Sequence, residues 1–204
     1  MPSKPKVFED KPPIDAIVKQ VYTPEEADEI YEFLKTKNFE YHKPYTRYNK
    51  IVKVPRGQAS YTLDESIHYD YGKIAGSSPP NEIMCDRLKE IVRKTNEVLG
   101  RNYNTILMNV YKDGKDAIGF HQDNENGWAE GSGFATLSFG CERTFMTERG
   151  YSKERNKILH KNGWVIEMPF PMNHEYYHAV PPCSEKVATR WRISLTLREI
   201  ITKK

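Results

Sequence analysis

Apolar residues recur at helical spacing in two stretches near the start of the chain. In the first, Thr23-Pro24-Glu25-Glu26 supplies an N-cap hydroxyl, Pro at the first helical position and Glu at the third, followed by Ile30, Phe33 and Leu34. The second opens after Pro79-Pro80 and shows Met84, Leu88, Ile91, Val92 and Leu99 before Gly100 ends it. Beyond residue 101 the pattern shortens to β-type runs punctuated by Gly, Asn and Pro: Thr105 to Tyr111, Phe134 to Phe139, Arg143 to Met146, Trp164 to Met168 and Trp191 to Leu197. Several short strands with no helical pattern between them predict an antiparallel sandwich or barrel, an all-β core with flanking helices.

A length of 204 residues suits one well-cored domain. Three regions are expected within it: a flexible tail over 1–15, an N-terminal part over 16–100, and a β core over 101–200. Met1 to Pro13 is polar and rich in Lys and Pro, without the apolar run of a signal peptide, and no segment is apolar enough to span a bilayer. Cys85, Cys141 and Cys183 are odd in number and scattered, which fits free thiols in a reducing, intracellular compartment. A net charge of +3 is too small to indicate a polyanionic partner, but its distribution is informative. Between Glu40 and Asp64 there is no acid, while Lys43, Arg47, Lys50, Lys53 and Arg56 alternate with Tyr41, Tyr45, Tyr48 and Tyr61. This predicts a local basic, aromatic surface; a plain hairpin with a solvated face is the alternative.

Strand alternation in the segment from Trp191 to Arg198 places Arg192, Ser194, Thr196 and Arg198 on one face and Ile193, Leu195 and Leu197 on the other. The two arginines lie roughly 20 Å apart along an extended strand and suit two anionic groups, or one site reached by long side chains; a solvated strand face is the plain alternative. Asn109 and Tyr111 share a face in the same way. His121 and Asp123, two apart in extended backbone, point together and are able to share a metal ion, with His178 as a third ligand. Two His and one carboxylate on one side of an ion leave open positions for a keto acid and dioxygen. A rival motif overlaps it. His174-Glu175-Tyr176-Tyr177-His178 has the H-E-x-x-H spacing of a zinc site, but Pro169, Pro171, Pro181 and Pro182 flank it and no apolar stripe supports the helix it needs.

Together these segments resemble the AlkB family of nucleic-acid dealkylases, and in particular its double-strand-DNA repair branch. Met108-Asn109-Val110-Tyr111-Lys112-Asp113-Gly114 with Ile118-Gly119-Phe120-His121-Gln122-Asp123-Asn124-Glu125 looks like the family's strand, turn and metal-binding segment. Ala135 to Gly140, Met172-Asn173-His174, Tyr177 to Pro181 and the strand from Arg192 to Arg198 are similar to later family segments, with Ser194 where Asn is common. Val54 to Tyr61 and Tyr69-Asp70-Tyr71 look like the branch's nucleotide-recognition segments. The resemblance covers roughly residues 40 to 200. It implies a double-stranded β-helix (jelly-roll) with an N-terminal helix and a hairpin recognition lid. It further implies iron(II) on His121, Asp123 and His178, and 2-oxoglutarate held by Asn109, Tyr111, Arg192, Thr196 and Arg198, with Arg192 on the distal carboxylate.

The implied reaction consumes dioxygen and 2-oxoglutarate, releases succinate, carbon dioxide and an aldehyde, and restores bases of the 1-methyladenine and 3-methylcytosine type. A base inside a duplex must be flipped out for this, or come from a single strand. The resemblance assigns Glu125 to the amino edge of the base, Tyr69 and Tyr71 to the lid, Lys50, Lys53 and Arg56 to phosphates, and Tyr48 to the vacated stack. Expected partners are therefore alkylated DNA, single- or double-stranded, with RNA left open, and no membrane; the chain is expected to act as a monomer, in the nucleus if eukaryotic and in the cytoplasm otherwise. Two alternatives use the same residues: an oxygenase of protein or small molecules, and a non-catalytic nucleic-acid-binding module.

Overall fold

The computed structural model describes residues 15–47, 50–69 and 79–201. Tyr48 and Tyr71, expected to fill the vacated stack and to form part of the lid, and most of the expected tail lie outside these residues. The protein is mostly β, with two larger antiparallel sheets, a separate two-stranded hairpin and few helices.

Helix α1 (Pro24–Lys35) begins as its sequence dictates: the Thr23 hydroxyl accepts from the Glu26 amide at 3.2 Å, and the Glu26 carboxylate accepts from the Thr23 amide at 2.9 Å. Helix α2 spans Asp86–Leu99 and closes on Gly100 in the left-handed region, φ 68°. Its start differs from expectation. Residues Asn81–Ile83 form a strand, β6, because they pair in parallel with β5 (Gly57–Thr62), and Met84 is buried ahead of the helix. Partners that distant leave no local period.

The larger sheet has the order β1 (Ile17–Gln20), β12 (Trp164–Met168), β9 (Phe134–Gly140), β14 (Arg192–Arg198), β7 (Thr105–Tyr111), β5 and β2 (Glu40–Tyr41), with β6 also on β5. Residues 16–100 thus extend the sheet on both sides of its C-terminal strands. The smaller sheet runs β11 (Arg155–His160), β10 (Arg143–Arg149), β13 (Tyr176–Val180), β8 (Ile118–His121). Strands β3 (Pro44–Arg47) and β4 (Lys50–Lys53) form the hairpin.

Every residue of β14, β7 and β9 is buried, so neither face of the central strands is solvated. The outward face carries Ile193, Leu195, Leu197, Leu137, Phe139, Met108 and Val110, which pack with Ile30 and Leu34 of α1 and Leu88 and Ile91 of α2. Each such fully buried aliphatic side chain is worth about 2 kcal/mol relative to exposure. The inward face carries the polar set. A second apolar cluster joins it to the smaller sheet through Tyr111, Phe134, Ile166 and Met168 on one side and Phe145, Ile158 and Val180 on the other. Two glycines permit close approaches. At Gly140, φ 84°, a Cβ would fall 2.3 Å from the Trp191 carbonyl, and at Gly114 one would fall 2.2 Å from the Cys183 carbonyl.

Candidate active site between the two sheets

His121 closes β8, Asp123 lies just beyond it, and His178 sits in β13 directly opposite His121. The ligand atoms of the three lie within 4.8 Å of one another. Both Nε2 atoms face Asp123 Oδ1, at 3.5 Å from His121 and 3.6 Å from His178. His121 Nδ1 donates to the Gly119 carbonyl at 2.9 Å, which leaves its Nε2 as a lone-pair donor. Burial, reinforced by His121, pushes His178 down to about 3, so its imidazole stays neutral, as a metal ligand must be. Burial alone would raise the Asp123 carboxyl, but Arg198, with the two imidazoles, outweighs it and holds the group well below the usual carboxylate range. Two imidazoles and one ionised carboxylate grouped in this way fit an iron(II) ion bound on one side.

Arg198 reaches Asp123 from β14, its Nε donating to Oδ2 at 3.2 Å. Its guanidinium also lies 5.6 Å from the Tyr69 ring and 5.8 Å from the Trp128 ring. Tyr69 is 3% exposed, donates its hydroxyl to the Asn124 carbonyl and accepts from Trp128 Nε1 at 2.9 Å. It braces the metal-ligand loop from the interior.

At the other end of β14, Arg192 is 1% exposed. Its Nε donates to Ser138 at 3.0 Å, its Nη1 to Ser194 at 3.3 Å and its Nη2 to His160 Nδ1 at 3.1 Å, while its guanidinium lies 4.9 Å from the Tyr111 ring. Arg143, also buried, approaches the same ring at 5.6 Å. Among the described residues, neither Arg192 nor Arg143 has a carboxylate partner. Burial holds Arg192 below the ordinary guanidinium value, the signature of a cation kept from water. Between the ends of the strand lie Ser194, opposite Asn109, and Thr196, beside Thr136. The side chains around Arg192 are cationic and polar, with no carboxylate paired to them among the described residues, as a site for a dicarboxylate requires.

Arg56, expected on the basic face with Lys50 and Lys53, turns inward instead: it is 9% exposed and its Nε donates to Asn109 Oδ1 at 2.7 Å. Lys50 and Lys53 remain exposed on β4. Glu125 sits at the mouth, its Oε1 accepting from Asn173 Nδ2 at 2.5 Å and its Oε2 2.9 Å from His174 Nε2. His174 is not part of the metal group: His174 and Glu175 end the four-residue helix α3 (Met172–Glu175), and Tyr176 to His178 already belong to β13. This geometry leaves no H-E-x-x-H site.

Three supporting residues had no role assigned from the sequence, although Gln58 and Asn173 lie in segments that resemble the family. His160 donates Nε2–H to the Trp164 carbonyl at 3.1 Å, so its Nδ1 is the acceptor for Arg192. Gln58 donates to Asn109 at 3.2 Å. Asn173 accepts from the Asp123 amide at 2.9 Å and donates to its carbonyl at 3.2 Å. A lone His or amide carries no pattern; only the strand register opposite a known site residue, as for Gln58 and Asn109, would have pointed to one.

Residues 15–198 match the family model of the 2OG-Fe(II) oxygenase superfamily. The chain is 34% identical to human DNA oxidative demethylase ALKBH2, an alignment covering 88% of this chain and 70% of the relative. The bovine ALKBH2 is 32% identical, over 86% and 65%. Human alpha-ketoglutarate-dependent dioxygenase alkB homolog 3 is 28% identical, over 66% and 49%. The chain therefore spans about two thirds of the length of its more similar relatives. A solved structure of OsALKBH1 superposes with a TM-score of 0.60 at 16% identity, covering 90% of this chain and 97% of that one. With the family model matched over nearly the whole chain, and a histidine, aspartate and histidine gathered as a metal-binding group, this chain belongs to the 2OG-Fe(II) oxygenase superfamily and, within it, to the AlkB family.

Proposed function

We propose that the chain oxidatively removes alkyl groups from N-alkylated bases of the 1-methyladenine and 3-methylcytosine type in DNA, a direct reversal of damage. One observation carries this reading: the buried Arg192, with no carboxylate partner among the described residues, shares a strand face with Arg198, which donates to Asp123 of the His121, Asp123 and His178 cluster, so a dicarboxylate held by Arg192 would lie on the same side of the sheet as the metal. The similarity to DNA oxidative demethylases supplies the substrate class. Residues 101–200 would form the double-stranded β-helix core and residues 16–100 the recognition part, with the β3–β4 hairpin as its lid.

In this reading His121, Asp123 and His178 hold iron(II), which when bound supplies the activation of dioxygen by a keto acid. Arg192 grips the distal carboxylate of 2-oxoglutarate, its fork oriented by Ser138, Ser194 and His160. Arg198 neutralises Asp123 and, with Asn109, Tyr111 and Thr196, lines the path between the two ends. 2-Oxoglutarate leaves as succinate and carbon dioxide, and one oxygen atom passes to the N-bound alkyl carbon. The hemiaminal so formed collapses to aldehyde and repaired base. Glu125 receives the amino edge or positive charge of the base, while Lys50 and Lys53, with Tyr48 and Tyr71, would engage the strand around it.

Mass spectrometry of a 1-methyladenine oligonucleotide incubated with iron(II), 2-oxoglutarate and ascorbate tests the reading. A methyl mass is lost with the intact protein and not with His121→Ala/Asp123→Ala. Consumption of 2-oxoglutarate without that loss would move the substrate to protein or small molecules.

A further inference from the structure

We propose that His174 is a specificity-determining residue: its imidazole holds the Glu125 carboxylate and so sets how sharply that carboxylate favours a cationic alkylated base over a neutral one. The inference rests on the nucleobase reading above. Both oxygens of Glu125 are engaged by protein, Oε1 by Asn173 and Oε2 by His174. The two partners differ in kind. Asn173 is 5% exposed and tied to Asp123 through both its amide and its carbonyl, so it is a fixed brace. His174 has a side chain 56% exposed, against 27% for Glu125, and so lies on the solvent side of that carboxylate.

The main chain of His174 is pinned on both sides, its amide donating to Pro171 and its carbonyl accepting from Gln122. Among the described residues its ring is held by Glu125 and by an edge contact with Phe170, centroids 5.4 Å apart, and Phe170 is itself half exposed. The ring is therefore the part of this cluster that is able to swing away. A base entering beside Glu125 competes with it for Oε2. A cationic base that keeps its amino group gains both a hydrogen bond and an ion pair when it wins that oxygen; a neutral etheno base, which has no exocyclic N–H left to donate, gains neither. As long as His174 occupies the oxygen, the advantage of the cation is reduced. Removing the imidazole leaves an exposed acceptor on a carboxylate still oriented by Asn173.

The test compares kcat/KM for oligonucleotides carrying 1-methyladenine and 1,N6-ethenoadenine. His174→Ala raises the ratio of cationic to neutral lesion by about tenfold, the equivalent of one charge-assisted hydrogen bond of about 1.4 kcal/mol. His174→Gln keeps a donor for Glu125 and stays within about threefold of the wild-type ratio. KM for 2-oxoglutarate is unchanged in both, which separates the effect from general damage to the site. A ratio in His174→Ala that rises by less than about threefold, or falls, overturns the proposal. Wild-type protein that repairs neither lesion overturns the nucleobase reading and the inference together, whereas repair with an unaltered ratio overturns the inference alone.

Discussion

Arg198, on the central strand of the larger sheet, donates to the carboxylate of Asp123, which the smaller sheet carries just past β8. Both side chains are under a tenth exposed, so the pair links the two sheets in a water-poor interior and keeps Asp123 ionised. Removing either partner leaves the other buried without this counter-charge. Arg198→Met should cost the metal-free protein about 3 kcal/mol in chemical denaturation. The double variant Asp123→Asn/Arg198→Met should recover more than half of that, because the main penalty is the stranded charge. A single-variant loss below about 1 kcal/mol would count against this assignment.

His160 is expected to act through Arg192. With its Nε2–H given to Trp164, its Nδ1 accepts from Nη2 and fixes the guanidinium plane. His160→Leu should raise KM for 2-oxoglutarate about tenfold, one hydrogen bond to a charged group, with kcat little changed. His160→Gln should restore part of the affinity. Steady-state kinetics with 2-oxoglutarate varied gives the answer; equal falls in kcat and kcat/KM would place His160 elsewhere in the mechanism.

The same histidine sets a pH dependence. Burial, with Arg192 adding to it, holds His160 well below its ordinary value, so the native state stays unprotonated while the unfolded chain takes up a proton below about pH 6.5. Its contribution is therefore full above about pH 6.5 and falls as the pH drops, by about 1.4 kcal/mol per pH unit. His178, held at about 3, acts in the same sense. Denaturation of metal-free protein at pH 7 and pH 5 should show this decline, and His160→Gln should remove about half of it. Equal stability at both values would contradict the buried, neutral state.

Asn173 ties the backbone of Asp123 to Glu125. Asn173→Ala should weaken metal binding by about tenfold or more, as losses of residues that orient a metal ligand commonly do. The rise in melting temperature with added manganese(II), compared between the variant and wild type, reads this without turnover; identical titration curves would refute it.

Thr23→Ala removes the hydroxyl half of the capping box on α1, far from the chemistry. It should lower stability by about 1 kcal/mol, roughly 2–4 °C in melting temperature for a chain of this size, with activity intact. A loss of turnover at temperatures where the fold persists would mean that α1 does more than cover the sheet.

Much of this protein is written locally. The capping box of α1, the glycine stop of α2, the alternation that puts Arg192, Ser194, Thr196 and Arg198 on one face, and the H-x-D spacing of His121 and Asp123 all follow from side-chain direction along a single element, which sequence period reports directly. What the chain alone left open are relationships between elements far apart in sequence. Strand β6 exists because β5 offers it a partner, and Arg56, just ahead of β5, turns in because Asn109 on the neighbouring β7 accepts from its Nε. Such choices are made by burial and hydrogen-bond satisfaction across the whole interior, where a polar side chain must find a partner or remain in water. The polar face of β14 reads as solvated in isolation; the smaller sheet, closing over it, makes that face the inside of a site.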